Sequence, residues 1–156
     1  NGDALGGGAE LALACDLRVF AMHAKIAFVQ GTLGISPAWG GGADLIRVVG
    51  GSQALKLLAR ADLLDATAAE RVGLADAIAT PDCTFEDWCG EFLAPIKARK
   101  PQVMRAFKAL VVATREQRSP AAVRELENAA LVTTWLHPDH WAAAEKVLAR
   151  IAGAAP

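Results

Sequence analysis

Apolar and polar positions follow two rhythms along this chain. Over residues 1–82, short apolar runs are broken by Gly- and Pro-rich stretches, whereas residues 83–156 carry longer stripes at helical spacing with few breakers. The pattern predicts a mixed helix and strand region followed by an all-helical one. In the first region Glu10 to Ala14 are strong helix formers, so a helix is expected to start near Gly8. Leu17 to Ala21 and Lys25 to Val29 read as two short strands joined tightly through Met22-His23-Ala24. Gly31 to Gly42, "GTLGISPAWGGG", reads as a loop. Ala43 to Val49 sets Leu45, Ile46, Val48 and Val49 on a helix that Gly50-Gly51 ends, and Ser52 is expected to cap a second, "SQALKLLAR". Asp65 or Thr67, the latter with Glu70 three residues on, offers a capping box for a short helix closing at Gly73. "LADAIA" follows as a short strand or extended segment.

The second region reads as four helices. Thr84 to Ala98 is one; Pro101 suits the first turn of another reaching Glu116. Ser119-Pro120 opens a third that ends near Leu136, and His137-Pro138 separates it from a last helix over Asp139 to Ile151.

Composition narrows the function classes. A chain of 156 residues, 53% hydrophobic with a formal charge of -1, describes one soluble globular domain or a large piece of one. Lys and Arg number 16 against 17 Asp and Glu with no basic block, which speaks against a nucleic-acid surface. No apolar run approaches the roughly 18 to 20 residues a bilayer span needs, and no basic segment with a signal-type apolar core stands at the start. The expected compartment is the cytoplasm. Cys15, Cys83 and Cys89 match neither a zinc site nor a disulfide framework and read as reduced thiols. The opening Asn1-Gly2-Asp3 is a turn signal with no Met before it, which suggests a fragment.

The candidate chemistry lies in "ALGGGAELALACD", Ala4 to Asp16, where three glycines stand before a strong helix and Glu10 falls two residues after the last. A helix N-terminus leaves about four N–H groups without internal partners and carries roughly half a positive charge. Glycines there permit a tight entry turn and let a carbonyl oxygen approach bare amides, which is the geometry of an oxyanion hole. Glu10, in the first turn, would face the same pocket. A packing turn under a helix accounts for a glycine triplet equally well.

The stretches "NGDALGGGAELALACDLRVF", "AKIAFVQGTLGISPAWGGGADLIRVVG", "ALKLL" and "AAERVGLADAI", in that order, resemble the crotonase (enoyl-CoA hydratase/isomerase) superfamily across nearly the whole chain. The resemblance implies an α/β fold: the C-terminal half of a crotonase-like (ClpP/crotonase) spiral core over residues 1–82, with a helical trimerisation segment over 83–156. It implies that Gly7 donates one of two amides to an acyl-CoA thioester oxygen, with Gly6 beside it, and that Glu10 matches the first of two catalytic glutamates of the hydratases. It also implies assembly as trimers or paired trimers, coenzyme A present only as part of the substrate, and no metal or redox cofactor. The other oxyanion donor belongs to a part of the family's core that this stretch does not contain, so the chain alone is expected to be inactive.

Hydratases carry a second glutamate where this chain has Gln30, and an amide cannot exchange the proton that hydration requires. A substrate that brings its own carboxylate, an alkylmalonyl thioester losing carbon dioxide, suits an amide there better. A glutamate about 4 Å from that carboxylate would cost roughly 4 kcal/mol at an effective dielectric near 20. Trp39 could wall off water from the leaving carboxylate, or it could be core packing. Pro37 and Gly34 shape the loop. "AFVQG" and "GISPAWGG", with "PQVMRAFKALV", "ELENAALVTTW" and "AAAEK", are similar to the ethylmalonyl-CoA decarboxylase branch of the superfamily. The expectation is therefore an acyl-CoA lyase, with Gly7 and Glu10 catalytic and Gly6, Gln30, Pro37 and Trp39 at the substrate. Relatives use basic tail residues to meet coenzyme A phosphates, which makes Lys108 and Lys146 candidates, as is Arg105. An enoyl-CoA hydratase or isomerase that tolerates Gln30 is one rival reading, and a truncated, inactive self-association module is another. His23, His137 and His140 read as structural, with no partner set for a metal.

Overall fold

The computed structural model describes residues 1–153, which form two compact units, Asn1–Leu93 and the residues from Ala94 onward. The composition change at 82/83 thus precedes the boundary of the compact units. In the first unit Ala4–Leu5 (β1) leads into Gly7–Ala14 (α1), followed by Val19–Ala21 (β2), Lys25–Ala27 (β3) and a 3-10 turn at Val29–Leu33. Next come Gly41–Val49 (α2), Gly51–Arg60 (α3), Leu64–Asp65 (β4), Ala66–Arg71 (α4), Ala77–Ala79 (β5) and Phe85–Lys97 (α5), whose last residues begin the second unit.

The two strands expected on either side of Met22-His23-Ala24 both form, but they enter different sheets. β3 lies between β1, parallel with Ala4 opposite Ile26, and β4, antiparallel with Ile26 opposite Leu64. β2 pairs in parallel with β5, Val19 opposite Ala77 and Ala21 opposite Ala79. An Ala24 N–H to Ala21 O hydrogen bond of 2.9 Å tightens the connection into a turn that redirects the chain between the sheets. β1 and β4 have two residues each, too few for an alternation to register in the sequence.

The core collects on these strands. Leu13 from α1, Ile26, Phe28, Leu45 from α2 and Leu74 are its largest fully buried side chains, and alanines at 9, 54 and 69 let the helices approach closely. Arg18 ties the edge of the core together. Its Nε donates to Leu74 O at 2.7 Å, one Nη to Cys15 O at 3.0 Å, and the other faces Asp76 at 3.3 Å. Arg18→Met leaves both carbonyls without a charged donor and is expected to lower unfolding free energy by about 2–3 kcal/mol, read by urea denaturation.

Helix starts follow their local chemistry. Asp65, rather than Thr67, caps α4 by accepting from Ala68 N–H at 2.8 Å. Thr84 Oγ1 accepts from Asp87 N–H at 3.1 Å ahead of α5. Ser52 caps nothing: α3 already begins at Gly51, and Gly50 stands as its N-cap without a side-chain bond.

The second unit holds Pro101–Arg115 (α6), Pro120–Trp135 (α7) and Pro138–Gly153 (α8), with α7 packed against both others. Ser119 Oγ caps α7 by accepting from Ala122 N–H at 3.2 Å. Among the described residues, no helix is long and apolar enough to cross a membrane.

Candidate functional site

The site grows from the end of β1. Gly6 takes φ +53°, a left-handed conformation favoured by glycine, and turns the strand into α1. Its N–H is spent on Ala27 O of β3 at 2.9 Å, and its carbonyl accepts from Glu10 N–H at 3.1 Å. Gly6, expected at the substrate, therefore shapes the turn and has no amide to give. No side chain caps α1, and the amides of Gly7, Gly8 and Ala9 have no partner among the described residues. They are the free donors at the positive end of the helix dipole.

Trp39 roofs this end. A methyl group built on Gly7 would lie 2.8 Å from Cζ3 of the Trp39 ring, so the indole rests directly on the Gly7 backbone. Trp39 is 84% exposed and holds φ +48°, a strained conformation for a bulky residue. Trp39 is therefore not part of the core of this unit. Pro37 supports the same loop, its ring carbons 3.7 Å from a methyl built on Gly42.

Beneath the turn, Glu10 and Gln30 are both only 6% exposed. Gln30 sits on the 3-10 turn Val29–Leu33, where the sequence predicts a strand ending at Val29 and a loop from Gly31, because Gly31, Thr32 and Gly34 close short-range hydrogen bonds there. Its Nε2 donates to Glu10 Oε1. The other carboxylate oxygen of Glu10, Oε2, and the amide oxygen of Gln30, Oε1, are buried without a partner among the described residues. Buried oxygens of this kind call for a donor from elsewhere. Gly41 lies so close that a methyl built on it would come 2.7 Å from Glu10 Cβ and nearer still to the carboxylate. Sequence reasoning missed Gly41; the "GGG" at 40–42 was the available signal, legible only as a loop.

Gly6, Gly7, Glu10, Gln30, Pro37 and Trp39 thus all belong to the first unit. Lys108 on α6 and Lys146 on α8 are exposed residues of the second, as is Arg105 on α6. A cleft of about 520 Å³ within the second unit is bounded by Arg99, Lys100, Gln102, Trp135, Asp139 and His140, without Lys108 or Lys146 among its described lining residues. At its rim His137 Nδ1 accepts from Asp139 N–H at 3.2 Å and contacts Gln102 Nε2 at 3.0 Å, while His140 stacks on Trp135. A hydrogen bond from Gln102 and the neighbouring Lys100 ammonium hold the Asp139 carboxyl below its ordinary range. The contribution of that carboxylate to stability is therefore present above the usual carboxylate pKa and lost as pH falls through its depressed value. An acid titration followed by circular dichroism is expected to show Asp139→Asn shifting the acid limb of unfolding to higher pH.

A family model described as enoyl-CoA hydratase/isomerase matches residues 1–145. The chain is 38% identical over 140 residues to an ethylmalonyl-CoA decarboxylase of Rattus norvegicus, covering 88% of this chain and 46% of the relative. It spans about half the length of the relatives it matches. An enoyl-CoA hydratase subunit structure from Geobacillus kaustophilus superposes with a TM-score of 0.85 at 27% identity, over 96% of this chain and 58% of that one. An enoyl-CoA hydratase-like structure from Thermobifida fusca in complex with CoA gives a TM-score of 0.77 at 27% identity, over 86% and 51%.

Proposed function

This chain belongs to the enoyl-CoA hydratase/isomerase family, and on that premise we propose that the protein carrying it is an acyl-CoA lyase that decarboxylates short alkylmalonyl-CoA thioesters. The observation that carries this reading is the buried Glu10–Gln30 pair, in which an amide occupies the place beside the acid. Two carboxylates that share a water would serve hydration. One carboxylate and one amide leave the neighbourhood free of the second negative charge that would repel a substrate carboxylate.

In the proposed reaction the bond between the α-carbon and the substrate carboxylate breaks, carbon dioxide leaves, and the electron pair passes to the thioester as an enolate. The Gly7 N–H donates to the enolate oxygen, a contact worth about 3–4 kcal/mol of barrier. Trp39 keeps water from the departing carboxylate. Glu10, having taken up a proton from solvent, then delivers it to the α-carbon, directly or through a water it orders. The reading needs no metal or redox cofactor, and coenzyme A enters only with the substrate. The helices from Phe85 onward are proposed to carry self-association as trimers or paired trimers, with Lys108 and Lys146 toward coenzyme A phosphates.

The test supplies the full-length protein with ethylmalonyl-CoA, methylmalonyl-CoA and crotonyl-CoA in parallel. Carbon dioxide release without hydration of crotonyl-CoA is the expected result. Fast hydration with no carbon dioxide would return the protein to the hydratases.

A further inference from the structure

The three glycines at 40–42 are glycine for different reasons, and only one of those reasons concerns the acid. Gly40 is the N-cap of α2 and takes φ +84°, so its backbone conformation explains it. Gly42 has ordinary room, its nearest neighbours being Pro37 carbons at 3.7 Å. Gly41 is different. It opens α2 with no positive φ, its N–H bonded to Ala38 O at 2.8 Å, a conformation alanine adopts readily and with better helix propensity. What forbids alanine is space. The volume of its absent side chain is filled by Cβ, Cγ and Oε2 of Glu10, and Gly41 is itself buried.

We propose that Gly41 is the positioning residue for Glu10: its missing side chain is the recess that holds the Glu10 carboxylate against the Gln30 amide. The carboxylate is bounded on one side by the Gln30 Nε2 donor and on the other by the α2 backbone. A methyl at 41 closes the recess, and because α1 packs on α2 the helices cannot move apart without opening the core around Leu13 and Leu45. The side chain of Glu10 must then swing away from Gln30. The inference rests on the reading of Glu10 as the acid only for its kinetic consequence; the placement itself is independent of the reaction.

The test compares Gly41→Ala and Gly42→Ala in the full-length protein, with the side-chain amides of glutamine labelled with nitrogen-15 and the Gln30 signal assigned by its loss in Gln30→Leu. In Gly41→Ala, hydrogen exchange of the Gln30 side-chain amide is expected to quicken at least about tenfold. Decarboxylation kcat is expected to fall about 100-fold with KM within about threefold, the scale of an ångström-sized misplacement of a reacting group. Gly42→Ala is expected to change neither by more than about twofold. Unaltered Gln30 exchange in Gly41→Ala overturns the proposal whatever the reaction is. Quickened exchange in a protein that releases no carbon dioxide from any malonyl thioester leaves Gly41 in its role and removes the decarboxylase reading instead. Should Gly41→Ala not fold, Glu10→Gly/Gly41→Ala decides: recovery of a cooperative melt supports the recess, and continued failure to fold overturns it.

Discussion

Replacing Glu10 by glutamine is expected to lower decarboxylation kcat by about 10²- to 10⁴-fold, the contribution typical of a positioned general acid, with little change in KM. The side chain is the same size and keeps one oxygen for the Gln30 amide, so the 6%-exposed pocket stays filled and the fold intact. What is lost is a carboxyl able to take up and hand on a proton, whose Oε2 is the oxygen left without a partner among the described residues. Single-turnover measurement of carbon dioxide release against incorporation of solvent deuterium at the α-carbon separates the two stages. If Glu10 delivers the proton, carbon dioxide appears before deuterium in Glu10→Gln. Equal rates of both steps in wild type and variant would exclude Glu10 from the chemistry.

Gln30→Glu is expected to suppress decarboxylation by about three orders of magnitude. A second carboxylate about 4 Å from the substrate carboxylate costs roughly 4 kcal/mol at an effective dielectric near 20, and each 1.36 kcal/mol is tenfold in rate. The same change sets a carboxylate against Glu10, where the Gln30 Nε2 now donates, so an attractive contact becomes a repulsive one inside the protein. Gln30→Leu separates these effects, because it removes the donor without adding charge. It is expected to lose far less activity than Gln30→Glu. Equal activity of wild type and Gln30→Glu would sink the charge argument for the decarboxylase reading.

Much of the fold was legible because its signals are local. Pro101 and Pro120 mark helix starts through their fixed backbone angle and missing N–H, Ser119 and Asp65 through bonds that reach three residues on, and the structure keeps each of these starts. Ser52 shows the limit of such signals: Gly50-Gly51 starts α3 one residue earlier, and the serine hydroxyl is left inside the first turn. β1 and β4 were not legible, since two-residue strands exist only through their pairing with β3. Trp39 was readable as wall or core; the structure places it 84% exposed with its ring on Gly7, outside the core of its unit.

The sequence by itself determined the helix–strand division, the glycine turn before Glu10 and the absence of a second acid at position 30, because propensity, capping and side-chain chemistry are properties of neighbouring residues. Tertiary structure alone decided that the Gly6 amide is consumed by β3, that Gln30 grips Glu10, and that Gly41 makes room for it. Each of those depends on which backbones lie within a few ångströms of one another. Chain folding supplies that proximity between residues 20 to 31 positions apart, and no local pattern records it.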